Sequence, residues 1–135
     1  MRLSADALSR FGEAFGSGLT PPAVIGLSGE MGTGKTTFVQ AICRGLGARA
    51  LATSPTYALV HHYRAGPTAV YHVDCYRLKH PDEARDLGFD DMIREPAVVL
   101  IEWPERAGPW APPLDRHFRL AHDPDPALRV VVEEA

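Results

Sequence analysis

Residues 29–36 read Gly-Glu-Met-Gly-Thr-Gly-Lys-Thr, directly after the apolar segment Ala23–Ser28 (AVIGLS). The spacing fits G-x-x-x-x-G-K-[ST]: glycines let backbone N–H groups curl round an anion, and the helix that follows turns its positive end to the same charge. Such a loop demands a strand before it and a helix after it, which points to an α/β sheet. Both neighbours comply. Ala23–Ser28 is apolar and bounded by turn residues, as suits a buried strand of a parallel sheet. Phe38, Val39, Ile42 and Leu46 mark one face of a helix that starts at Lys35 and is closed by Gly45 and Gly47. By chance the eight-residue pattern arises in roughly one short chain in a few hundred, and the strand and helix around it reduce that further.

The rest of the chain alternates in the same manner. Leu3, Ala7, Leu8, Phe11 and Phe15 recur at helical spacing, so a helix is expected from about Ser4 to Phe15, capped by Ser4 and ended by Gly16, Gly18 and Pro21-Pro22. Tyr57–Arg64 and Ala69–Asp74 read as two strands that pair across Ala65-Gly66-Pro67. Pro81–Leu87 reads as a short acidic helix ended by Gly88, and Ala97–Glu102 (AVVLIE) as a second buried strand finishing in a carboxylate. A Pro-rich connection, Pro104–Pro113, leads to strand candidates around His117–Ala121 and Leu128–Glu133. A chain of 135 residues suits one core. The expected fold is therefore α/β, a single P-loop NTPase domain with a mixed, mostly parallel sheet flanked by helices.

Composition narrows the function. Apolar residues make up 45% and charged residues 23%, with a formal net charge of -3, so the basic footprint needed to grip a nucleic-acid backbone is missing. Any nucleic acid involved is expected to be held by a partner. Cys43 and Cys75 stand far apart without a second Cys or His at metal-ligand spacing, and read as reduced, half-buried core thiols. No stretch approaches the ~20 apolar residues of a membrane span, and the N-terminus lacks the apolar core of a signal peptide. A soluble, cytoplasmic protein with no membrane contact is expected.

Within the loop, Lys35 is one of two lysines in the chain, with Lys79. Read as an exposed loop residue, it reaches the β- and γ-phosphates of a nucleotide. Thr36 offers a magnesium ligand, Thr37 a hydroxyl to the α-phosphate, and Gly29, Met31, Gly32, Thr33 and Gly34 form the cradle. Such a site needs acids at the carboxyl ends of neighbouring strands, and Asp74 and Glu102 hold that position. Ser54-Pro55-Thr56-Tyr57 is either a switch segment presenting Thr56 or a plain Ser-Pro turn. Arg77 either neutralises phosphate charge or pairs with an acid such as Asp86. His61, His62 and His72 read as packing or surface residues. The residues leave open an ATPase, a small-molecule or nucleoside kinase, and a non-enzymatic nucleotide switch. The lack of an Asn-Lys-x-Asp segment favours ATP over GTP.

Four segments in order, Gly29 to Thr37, Ser54-Pro55-Thr56-Tyr57, His72-Val73-Asp74-Cys75-Tyr76-Arg77 and Ile101-Glu102-Trp103-Pro104, resemble the TsaE family, the ATPase subunit of the bacterial machinery that makes threonylcarbamoyladenosine in tRNA. The resemblance runs from the N-terminal helix through Gly45-Leu46-Gly47 to Pro113-Leu114, with departures at Met31, Thr33 and Ala52. It implies ATP and Mg2+ as cofactors and Glu102 as the second magnesium ligand beside Thr36. It further implies Asp74 as an acid needed for turnover alongside Lys35, Thr56 as the switch threonine, and Ser4 with its neighbours near the base. The implied partners are TsaD-like and TsaB-like subunits, with tRNA met only through the complex. Trp103 is compatible with core packing or with a partner surface.

Overall fold

A computed structural model of the chain describes residues 1–48, 51–53 (backbone only) and 59–134. Its strands are β1 (Arg2–Ser4), β2 (Ala23–Ser28), β3 (Leu51–Thr53), β4 (Val60–Ala65), β5 (Thr68–Asp74), β6 (Ala97–Glu102), β7 (Arg116–His122) and β8 (Leu128–Glu134). The helices are α1 (Ala5–Ser17), α2 (Lys35–Leu46) and α3 (Phe89–Arg94), with 3₁₀ segments at Pro81–Leu87 and Pro104–Trp110. The strands form one sheet in the order β1-β8-β7-β2-β6-β5-β4-β3. Its centre, β7-β2-β6-β5, is parallel, and the hairpins β4-β5 and β7-β8 make the edges antiparallel. This is the mixed α/β sheet expected, with β4 and β8 alone running against the other described strands.

Central position explains composition. β2 pairs on both sides, with β6 and β7, and all of its residues are buried, as are those of β6. Two helices cover one face, where Leu8, Phe38 and Ile42 pack on Ile25, Leu27, Leu100 and Phe118. On the other face, Leu78, Leu87, Phe89 and Met92 pack on Val73, Val99 and Ile101. Period-two alternation along β5 and β6 sends successive residues to these two layers.

Local chemistry sets the helix ends. The Ser4 side chain accepts from Ala7 N at 3.1 Å and caps α1, with Asp6 in the first turn. Gly47, at φ 80°, closes α2 in the left-handed conformation. The segment Pro81–Leu87 is 3₁₀, and Gly88 ends it at φ 89° before α3 begins. Three elements depart from expectation. Leu3 belongs to β1, paired with Arg129 of β8, and not to the first helix. α3 was not anticipated, and neither was β3, whose pairing with β4 is long-range. Tyr57, expected to open a strand, lies outside the described residues; β4 begins at Val60. Among the described residues no helix is long and apolar enough to cross a membrane.

α1 also runs past Gly16, where a stop was expected, because that glycine is a contact point. A Cβ there would stand 2.2 Å from the backbone oxygen of Ile42 in α2. Gly45 approaches α1 just as closely, 2.1 Å from Glu13 O by the same construction. Replacing Gly16 with Ala should therefore lower stability by about 1–3 kcal/mol in urea titration, since the clash is with backbone and cannot relax by a rotamer change. Gly18→Ala is the control. Its φ is -92° and its nearest contacts lie at 3.7 Å, so stability should change little.

Candidate functional site

The loop between β2 and α2 owes its shape to glycine. Gly29, Gly32 and Gly34 have φ of 138°, 78° and 102°, a region open to glycine and strained for other residues. At Gly29 space is also limiting: a Cβ would lie 2.1 Å from Leu120 O of β7. Thr33 is buried and donates from Oγ1 to Glu30 O at 2.7 Å, so it braces the loop from inside. Lys35, expected to be exposed, is instead 6% exposed. Its Nζ donates to Gly29 O at 2.5 Å and Glu30 O at 2.8 Å, and lies 5.4 Å from the centroid of the Trp103 ring. Burial lowers the Lys35 pKa, and the nearby carboxylates of Glu102, Asp74 and Glu105 oppose that shift.

Facing the lysine are the two strand-end acids. Asp74 and Glu102 are register partners in the parallel β5-β6 pair, so both project from the same end of adjacent strands. Asp74 Oδ1 accepts from Tyr76 N at 3.0 Å in an Asx turn. Glu102 is buried, and its Oε2 accepts from His72 Nε2 at 2.6 Å. His72, read as a packing or surface residue, packs against the His61 ring with centroids 5.8 Å apart and also bonds this carboxylate. Strand alternation puts residues 72 and 74 on one face, but only the β5-β6 register makes His72 a diagonal neighbour of Glu102.

A cleft of about 380 Å³ joins these parts. Met31, Gly32, Gly34, Lys35, Thr36 and Thr37 of the loop and α2 line it together with Asp74, Tyr76, Glu102 and Trp103 from the strand ends and Arg129 of β8. Ser4 caps α1 outside this lining, one step along β1 from Leu3, the register partner of Arg129. Thr56 and the segment around it lie outside the described residues. Arg77 is exposed, and Asp86 pairs with Arg85 at 3.8 Å. Arg106 and Arg129 were not anticipated. The Arg106 guanidinium lies 4.8 Å from the Tyr76 ring centroid and 5.2 Å from that of Trp103, and donates to Tyr76 O at 3.0 Å. Trp103 takes a left-handed backbone, φ 57°, and its N–H donates to Leu27 O at 2.8 Å. It is half-buried, touching both the core and the lip of the cleft.

The lining suits an anion together with a hard cation. Glycine N–H groups, the N-terminal end of α2 and Lys35 favour phosphate oxygens. The Thr36 hydroxyl and the Glu102 carboxylate are oxygen donors of the kind that Mg2+ takes. Among the described residues no three His, Cys, Asp or Glu side chains gather into a cage of their own. Outside this lining, burial pushes the Cys43 thiol up to about 11 and the Cys75 thiol up to about 12, and both are free.

A buried central strand, a glycine-shaped loop, a helix opening on a lysine and acids at the ends of the next two strands define a P-loop-type protein. A family model described as "Threonylcarbamoyl adenosine biosynthesis protein TsaE" matches residues 3–129, and the chain belongs to the TsaE family. The protein of Bacillus subtilis named tRNA threonylcarbamoyladenosine biosynthesis protein TsaE is 40% identical over 83 residues, 62% of this chain and 51% of that protein. The Haemophilus influenzae protein of the same name is 36% identical over 105 residues, covering 74% of this chain and 66% of its own. That of Treponema pallidum is 37% identical over 103 residues, 76% of either chain. This chain thus spans about half of the first relative and about two thirds of the second. The crystal structure of Bacillus subtilis YdiB shares the fold, with a TM-score of 0.77 at 23% identity over 98% of this chain and 82% of that one.

Proposed function

We propose that the chain is a magnesium-dependent ATPase of the cytoplasm that supports threonylcarbamoyladenosine formation in tRNA by acting on a TsaD-like subunit with a TsaB-like subunit alongside. The observation that carries the reading is the register pair Asp74 and Glu102 brought into one cleft with Lys35 and Thr36. The family's printed name supplies the pathway. The net charge of -3 supports contact with tRNA through the partners and not through this chain.

In this reading Gly29, Met31, Gly32, Thr33 and Gly34 shape the cradle, and Thr37 offers its hydroxyl to the α-phosphate. Lys35 exchanges its bonds to Gly29 O and Glu30 O for phosphate oxygens, so a buried and partly desolvated ammonium meets the charge it was lacking. Thr36 and Glu102 hold magnesium, with Glu102 kept in place by His72. When bound, the metal neutralises charge on the phosphates. Asp74 orients the attacking water or a switch segment containing Thr56, and the Ser4 end of α1 lies on the base side.

Glu102→Ala should weaken ATP binding far more in magnesium than in chelator, because the carboxylate reaches the nucleotide only through the metal. Equal losses in both conditions would mark Glu102 as purely structural. Asp74→Asn should bind ATP within a few-fold of the parent yet turn over roughly a hundredfold more slowly, since an orienting carboxylate acts on the transition state. A normal rate removes Asp74 from the mechanism. The pathway is tested by reconstituting tRNA modification with purified TsaD-like and TsaB-like subunits. Repeated rounds should require this chain and ATP, and Lys35→Ala should not support them. Many rounds without the chain, or full activity with Lys35→Ala, would overturn the proposal.

A further inference from the structure

The edge of the sheet carries several arginines, and all but one that face this ladder have an acid. Arg2 pairs with Asp123 at 2.8 Å, Arg116 with Glu133, and Arg119 with Glu134 at 2.6 Å. Arg129 of β8 is the exception. Its Nε is buried without a hydrogen-bond partner among the described residues. A buried donor left open in this way is destabilising unless something outside the chain satisfies it.

Where Arg129 sits shows what that would be. Alternation along β8 puts it on the same face as Val131, the face packed by α1 and α2. Its Nε lies 3.9 Å from the place a Cβ at Gly34 would take, and Gly34 is the N-cap of α2. The residue also lines the cleft that holds Lys35, Thr36 and Thr37. The carboxylates of that cleft, Asp74 and Glu102, end β5 and β6, beyond β2 and β7 in the sheet order. Arg129 therefore borders the anion cradle from the β8 side, with the acids on the other.

We propose that Arg129 is a phosphate-contacting residue, so that the β8 edge completes a cradle which the phosphate loop and α2 leave open on one side. The inference rests on the reading of the cleft as a nucleotide site. The ligand chemistry is the polyphosphate of a nucleotide, which a guanidinium meets with paired N–H groups in a planar fork. It also gives the β1-β8 pairing a functional consequence: the N-terminal strand holds the cation-bearing strand at its outer side.

The test measures displacement of a fluorescent ADP analogue by MgATP and by inorganic tripolyphosphate, for the parent, Arg129→Ala and Arg129→Lys, with thermal melting as the check on folding. Arg129→Ala should weaken both competitors by about ten- to a hundredfold. Arg129→Lys should recover part of the loss for both, because it keeps the charge and loses the fork. It also supplies the reading if the alanine variant does not fold: parent-like affinity for both competitors then overturns the assignment. Alanine affinity within twofold of the parent overturns it as well. So does a loss confined to MgATP, which would put the contact on the sugar or base. A parent that fails to bind the ADP analogue at all removes the nucleotide site itself, a different failure from an Arg129 variant that binds as well as the parent.

Discussion

The parallel pairing of β2 with strands on both sides is the constraint from which the site follows. With β6 on one flank and β7 on the other, β2 must be apolar throughout and must leave the sheet where its neighbours also end or continue. Gly29 makes that exit possible. It turns at φ 138° against the carbonyl of Leu120, in a space that no side chain could share. The next strands, β6 and β5, stop at Glu102 and Asp74, so the carboxylates arrive beside the loop through sheet register alone. Brought together in this way, the loop and the two acids need no further insertion to meet.

How legible this was depended on how local each determinant is. The limits of β2 and β6, the start of α2 and the Ser4 cap were readable because an apolar run between turn residues, a glycine stop and a hydroxyl cap act within a few residues. The strands β1 and β3 were not readable. Each has three residues and exists only through its partner, so propensity in the segment itself carries little information. The burial of Lys35 was hidden for a similar reason, since it follows from the ring of Trp103 and the carbonyls of Gly29 and Glu30 closing over it. Asp74 and Glu102 were found by position at strand ends, whereas His72 required the pairing register and Arg129 the order of the edge strands.

Charge in the cleft is divided and not cancelled. Lys35 at the start of α2, Arg129 of β8 and the strand-end acids Asp74 and Glu102 all line that cleft. The lysine could have paired directly with an acid. It donates instead to main-chain carbonyls, and burial pulls its pKa down while the acids push it back up. Held in this way, the side chain has main-chain carbonyls and not a carboxylate as its partners. Glu102 is likewise engaged at one oxygen by His72, which leaves the other for a different partner.

The two acids are also joined mechanically. Asp74 accepts from Tyr76 N, Arg106 donates to Tyr76 O, and the Arg106 guanidinium packs against the Tyr76 and Trp103 rings. Trp103 follows Glu102 directly, in a left-handed conformation fixed by its bond to Leu27 O. Tyr76 and Arg106 are exposed, so the surface that links the strand ends is the surface that another molecule can touch. The lip of the cleft is therefore built from residues that adjoin both carboxylates in the chain and hold one another by hydrogen bond and ring packing.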